Sequence, residues 1–122
     1  MSKTILTIDD SASIRQMVSL TLSGAGYNVL QASDGEEGLA QATAHRVDAV
    51  LTDLNMPKMN GIEFIRQYRA HPSSTGVPIV FLTTESDGEL KRQAKEAGAT
   101  GWIVKPFEQD KLLAVVKKVA GS

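Results

Sequence analysis

The chain has 122 residues, enough for one domain with a single core. Its 42% hydrophobic and 22% charged content is that of a soluble globular protein, and a net charge of -1 supplies no field to gather nucleic acid or an anionic membrane. The absence of cysteine excludes disulfides and thiol chemistry, and neither a membrane-spanning run nor a signal peptide is legible, so a soluble cytoplasmic protein is expected.

In chain order the pattern alternates between two periods. Residues 4–8 form a short run rich in β-branched side chains, which predicts a buried strand that ends at Asp9 and Asp10. Ile14, Met17, Val18, Thr21, Leu22 and Ala25 then share one helical face, with Gly24 and Gly26 marking its exit. A second strand is expected over 27–31, followed by a helix marked by Leu39 and Ala42. A third strand over 48–52 ends at Asp53, and Ile62, Ile65 and Tyr68 mark the next helix. A fourth strand over 77–82 ends at Thr83, and Leu90, Ala94 and Ala97 follow at helical spacing. The fifth, over 101–104, ends at Lys105, before a helix marked by Leu112, Val115, Val116 and Val119. Ser33 with Glu36, Asn60 with Glu63 and Ser86 with Glu89 have the spacing of capping boxes. Five such units predict an α/β fold, a parallel sheet covered by helices on both faces.

In an open α/β sheet the ligand site lies beyond the carboxyl ends of the strands, where the strand order reverses. The flavodoxin-like doubly wound (βα)5 order 2-1-3-4-5, taken from that fold class, sets strands 1 and 3 side by side. Asp9 and Asp10 then face Asp53, with Thr83 and Lys105 on the next two strands. Taken singly, Asp10 reads as an acid opening a helix, Asp53 as a loop acid, Thr83 as a strand residue and Lys105 as a surface charge. Their joint arrival at four strand ends points to a site instead. Clustered acids are costly to desolvate unless a cation joins them, and magnesium prefers one or two carboxylates with water. Asp10 and Asp53 can supply those carboxylates, with Asp9 acting through water. A carboxylate can also be a nucleophile toward phosphorus, while Lys105 and the Thr83 hydroxyl meet the phosphoryl oxygens.

The block Asp53-Leu-Asn-Met-Pro-Lys-Met-Asn-Gly61 is the most specific segment. With Asp9-Asp10, Leu82-Thr-Thr-Glu85 and residues 97–107, it resembles a bacterial two-component receiver domain, close to CheY-like single-domain chemotaxis regulators, over essentially the whole chain. The resemblance implies that Asp53 is the phosphoacceptor and that Asp10, Asp53 and the Asn55 backbone carbonyl bind Mg2+, with Asp9 assisting. It makes Lys105 the phosphoryl contact, Thr83 the switch hydroxyl and Trp102 an aromatic switch where the family more often has Tyr or Phe. It also implies a cis bond before Pro106 and, from Asn55 and Glu85, a short-lived phosphoryl group.

The implied partners are a CheA-like histidine kinase and, downstream, a flagellar motor switch protein or a phosphatase, met by a monomer through its helix 4, strand 5 and helix 5 face. The expectation is one receiver domain over 1–122 with no output domain, no nucleic-acid or membrane partner, and no turnover of external substrates. A phosphate sink or a phosphorelay intermediate would keep the same pocket. A haloacid-dehalogenase-type phosphatase needs a second acid two residues after its nucleophile, where this chain has Asn55. A flavin carrier needs a phosphate loop after strand 1, where Asp9 and Asp10 would repel the phosphate.

Overall fold

A computed structural model describes residues 2–54, 56, 58–84 and 88–121. The strands are β1 (Thr4–Ile8), β2 (Asn28–Ala32), β3 (Ala49–Asp53), β4 (Ile79–Thr84) and β5 (Gly101–Lys105). They alternate with α1 (Ala12–Gly24), α2 (Gly35–Ala44), α3 (Gly61–Arg69), α4 (Gly88–Ala97) and α5 (Gln109–Ala120), and a single 3-10 turn, Pro72–Ser74, precedes β4. The sheet is parallel throughout and ordered β2-β1-β3-β4-β5, the expected flavodoxin-like arrangement.

Successive strand residues point to opposite faces, so each strand feeds two cores. Leu6, Ile8, Val50, Ile79 and Phe81 pack under α2, α3 and α4, where Phe64 and Tyr68 stack at 5.6 Å. Ile5, Leu51, Val80, Leu82 and Ile103 pack under α1 and α5 through Val18, Leu22, Leu112 and Val116. Truncating one of these buried aliphatic chains to Ala would cost about 2–5 kcal/mol, because the close-packed site cannot fully collapse. Among the described residues, no helix is long and apolar enough to cross a membrane.

Four strands, β2 to β5, run further toward their carboxyl ends than the apolar pattern suggested. The parallel ladder pairs Asp53 with Leu82 and Thr84 with Lys105, so hydrogen bonding carries the backbone past the last apolar side chain. Asp48, expected within the third strand, precedes it, and its carboxylate accepts from Thr4 N–H at 2.8 Å. The helix caps differ in detail. Asn60 and Glu63 form the expected capping box. Ser33 does not cap α2; Asp34 does, accepting from Glu37 N–H at 2.8 Å, while Glu37 reaches back to Ser33 N–H at 2.6 Å. The turn settles one residue later because Gly35 N–H is bound to the Met59 carbonyl. Ser11, rather than Asp10, caps α1. The third expected box depends on Ser86, which lies outside the described residues.

Candidate functional site

A buried acid follows β1 because three hydrogen bonds hold the chain there. Asp9 N–H donates to Ala32 O at 3.1 Å, extending the β1–β2 pairing beyond the last strand residue. Its Oδ1 accepts from Ser11 N–H at 2.9 Å, and the Arg15 guanidinium donates to its carbonyl at 2.5 Å. Asp9 is thereby wholly shielded from solvent, whereas the next residue, Asp10, is exposed. Asp53 closes β3 beside it at 8% exposure, and its Oδ1 accepts from Leu54 N–H at 2.8 Å.

One oxygen from each of Asp9, Asp10 and Asp53 lies within 4.8 Å of the others. Lys105, at the end of β5, reaches over them. Its Nζ is 3.4 Å from Asp9 Oδ2 and 3.3 Å from Asp53 Oδ2. Burial raises the Asp53 carboxyl above its ordinary range and the Asp9 charge adds to this, while Lys105 and the Leu54 N–H oppose it. One ammonium facing three carboxylates leaves the pocket net negative. All-oxygen donors at this spacing fit a small hard divalent cation, which would complete its shell with water.

The remaining expected residues divide. Thr83 lies next to last in β4, buried, and its hydroxyl donates to the Thr84 carbonyl at 3.0 Å rather than to an acid. Trp102 stands opposite Phe81 in the β4–β5 register and stacks on it at 6.1 Å. It remains 41% exposed, with Lys91 Nζ 5.3 Å and Lys95 Nζ 5.7 Å from its ring. The Lys105–Pro106 bond is cis, as the resemblance implied. Asn55 and Glu85 lie outside the described residues.

Two supports of the site escaped a reading by residue chemistry. A Cβ on Gly61 would overlap the Asp53 carbonyl oxygen, so the start of α3 lies directly against the Asp53 backbone. Gly35 meets Met59 in the same way. Glycine bears no chemistry, and only the Asp53–Gly61 block signalled the first of them. An apolar cleft lined by Ile14, Met17, Pro106 and Phe107 adjoins Lys105. A second cleft, between residues 43–48 and 73–77, contains none of the three clustered acids.

Comparison with known proteins agrees with this geometry. A family model described as the response regulator receiver domain matches residues 5–117. The phosphate regulon transcriptional regulatory protein PhoB of Pseudomonas aeruginosa is 35% identical over 119 residues, which is 98% of this chain and 52% of PhoB. The DNA-binding response regulator MtrA of Mycobacterium tuberculosis is 39% identical over 117 residues, 96% of this chain and 50% of MtrA. The chain thus spans about half the length of the curated relatives it matches.

Among solved structures, the chemotaxis response regulator CheY4 of Vibrio cholerae superposes with a TM-score of 0.93 at 47% identity, covering 98% of this chain and 99% of CheY4. The receiver domain of the sensor histidine kinase PA1611 of P. aeruginosa, which has a magnesium ion in its active-site cleft, gives a TM-score of 0.91 at 27% identity with both chains fully covered. With the model match spanning nearly the whole sheet and its helices, the chain belongs to the response regulator receiver domain family.

Proposed function

We propose that this chain is a receiver-domain signalling switch that takes a phosphoryl group from a histidine kinase onto Asp53. The observation that carries the reading is the meeting of Asp53 with Asp9 and Lys105. It gives a desolvated carboxylate with an ammonium already beside the oxygen that would bear the phosphoryl group. The chemistry of the receiver is on itself. The P–N bond of the kinase phosphohistidine breaks as a P–O bond to Asp53 forms, and the imidazole nitrogen keeps the electron pair. Hydrolysis reverses the state: water attacks phosphorus, inorganic phosphate leaves and the carboxylate is restored.

Asp9, Asp10, Asp53 and the Asn55 carbonyl would hold Mg2+, in keeping with the ion reported for the PA1611 receiver domain. When bound, the ion supplies positive charge to the phosphoryl oxygens. Lys105 supplies the second positive charge from the other side. Leu54 N–H fixes the Asp53 rotamer, and the burial of Asp53 limits the water around its carboxylate. For the Thr83 hydroxyl to reach a phosphoryl oxygen it must leave the Thr84 carbonyl, and its movement opens space toward Trp102. The face of α4, β5 and α5 then changes for a partner.

Chemotaxis is the setting this reading favours, supported by 47% identity to CheY4 along nearly its full length. The partners would be a CheA-like kinase and a flagellar motor switch protein or phosphatase, met by a cytoplasmic monomer. A phosphate sink or a relay intermediate would share the pocket but lack the motor partner.

The test is labelling by a phosphorylated histidine kinase or acetyl phosphate. Wild type should label in a magnesium-dependent way, and Asp53→Asn should not, since an amide is a far poorer nucleophile. Wild-type labelling of Asp53→Asn would sink the assignment. Binding of the phosphorylated form to motor-switch protein separates the output reading from the sink.

A further inference from the structure

The turn between β2 and α2 touches both acid-bearing segments. Ala32, ending β2, accepts from Asp9 N–H, and Gly35 N–H donates to the Met59 carbonyl, each at 3.1 Å. Asp34 lies between them, buried. Its Oδ1 caps α2, and its Oδ2 faces Lys58 Nζ at 3.7 Å.

Lys58 has a φ of 65°, the only positive value at a non-glycine among the described residues. That conformation costs about 1–2 kcal/mol for a residue with a Cβ and is open to glycine without it. The ion pair gives little stability in return, because the Lys58 side chain is 64% exposed and such pairs contribute about 0–1 kcal/mol. The connection from Asp53 to α3 is closed at its far end by Gly61, whose N–H donates to Leu54 O at 3.0 Å. Of its described residues, Leu54 is therefore held by Gly61, Met59 by Gly35 and Lys58 by Asp34.

We propose that Asp34 and Lys58 form a strap that sets the β3–α3 connection, making Asp34 a positioning residue for the metal and phosphoryl pocket. This inference rests on the Asp53 reading above and adds to it two residues outside the pocket. With the ion pair gone, its partial offset of the cost at Lys58 is lost, so the backbone leaves this conformation more readily and Met59 parts from Gly35 more often. The acceptor's own segment then loses one of its two anchors.

The test uses Asp34→Ser, which keeps a good helix cap, Lys58→Ala, and the double variant. Mg2+ affinity is measured by calorimetry and Gly35 amide hydrogen exchange without divalent metal. Each single variant should bind Mg2+ at least about threefold more weakly, short of the ~10-fold typical of groups bonded directly to a metal ligand. Each should also speed Gly35 exchange, and the double variant should be no worse than the weaker single, as expected of residues acting as one unit. Simple electrostatics predicts opposite signs, weaker binding without Asp34 and tighter binding without the Lys58 cation. Tighter or unchanged Mg2+ binding in Lys58→Ala would overturn the strap, as would unchanged Gly35 exchange in both singles. A wild-type chain that bound no magnesium would instead defeat the functional reading, and the Gly35 exchange rates would still judge the strap.

Discussion

Replacing Lys105 by Met tests how the pocket balances its charge. Met keeps the side-chain stem and removes the ammonium that sits 3.4 Å from Asp9 Oδ2 and 3.3 Å from Asp53 Oδ2. Removing one partner of a buried pair costs about 3–5 kcal/mol, because the other charge is left uncompensated. Lys105 is 23% exposed, so water replaces part of the loss, and about 2 kcal/mol is expected without divalent cation. Unfolding entropy of about 2.1 cal/mol/K per residue gives about 0.26 kcal/mol/K for a domain of this length. The melting temperature should therefore fall by about 8 °C in chelator.

Magnesium should reverse much of that. The cation enters a pocket from which a competing cation has gone, so the variant should bind it more tightly than wild type. A tenfold gain in affinity would recover about 1.4 kcal/mol more in the variant than in wild type at saturating metal, leaving a gap under about 4 °C. Thermal melts of both proteins, in chelator and in saturating magnesium at matched ionic strength, read this directly. An equal deficit in both conditions would refute the reasoning, since Lys105 and the metal would then not share the same carboxylates.

Asp10→Asn should lose magnesium affinity and, with it, labelling by acetyl phosphate, while its stability in chelator holds or rises because Asp10 is exposed and repelled by its neighbours. In chelator, Asp53→Asn should be more stable than wild type near neutral pH, because the folded state raises the Asp53 pKa. The stability that this group contributes is fully present below its unfolded pKa and lost as pH rises through the folded value. The gap between the proteins should thus close as pH falls through that window, and a gap widening toward acid would contradict the burial argument. Trp102 emission should change little with magnesium alone. Addition of beryllofluoride should shift it and reduce access to acrylamide, and equal quenching in both states would show that the indole stays where it stacks on Phe81.

The fold was legible because each strand is a short apolar run and each helix keeps its period, with no element ambiguous in length. The acids were legible because carboxylates at strand ends have few structural reasons to gather. What escaped were places where backbone geometry decides. Asp53 lies inside the β3–β4 ladder rather than after it, since hydrogen bonding ignores side-chain polarity. The cap of α2 moved from Ser33 to Asp34 because a long-range bond from Gly35 to Met59 fixed the turn, and local spacing cannot report a partner so distant in sequence. Asp9 was expected to assist the metal through water, a reading that left its own burial and ion pairing open. It is the most buried of the three and carries a direct contact to Lys105, because Ala32 and Ser11 hold both sides of its backbone turn.

The same geometry gives a reason why, on the proposed reading, a signal would leave through one edge of the sheet. At the β2–β1 side the pocket is tied down by Asp9 N–H on Ala32 and by the Asp34 turn. On the other side, the two groups that a phosphoryl oxygen would recruit, the Thr83 hydroxyl and the Lys105 ammonium, lie on neighbouring strands, Thr84 pairing with Lys105. On that reading both would change partners on phosphorylation: Thr83 would give up the Thr84 carbonyl, and Lys105 would give up two carboxylates for a phosphoryl group of about −2 charge. The pull therefore falls on β4 and β5 together, and Trp102 lies three residues before Lys105 on that strand. Its ring is held outside by Phe81 beneath and two lysines of α4 beside it, contacts of about 0.5–1.5 kcal/mol each that a modest population shift can exchange. A braced edge and a loosely latched one, meeting at the same acids, would on the proposed reading turn a local change of charge into a directional change of surface.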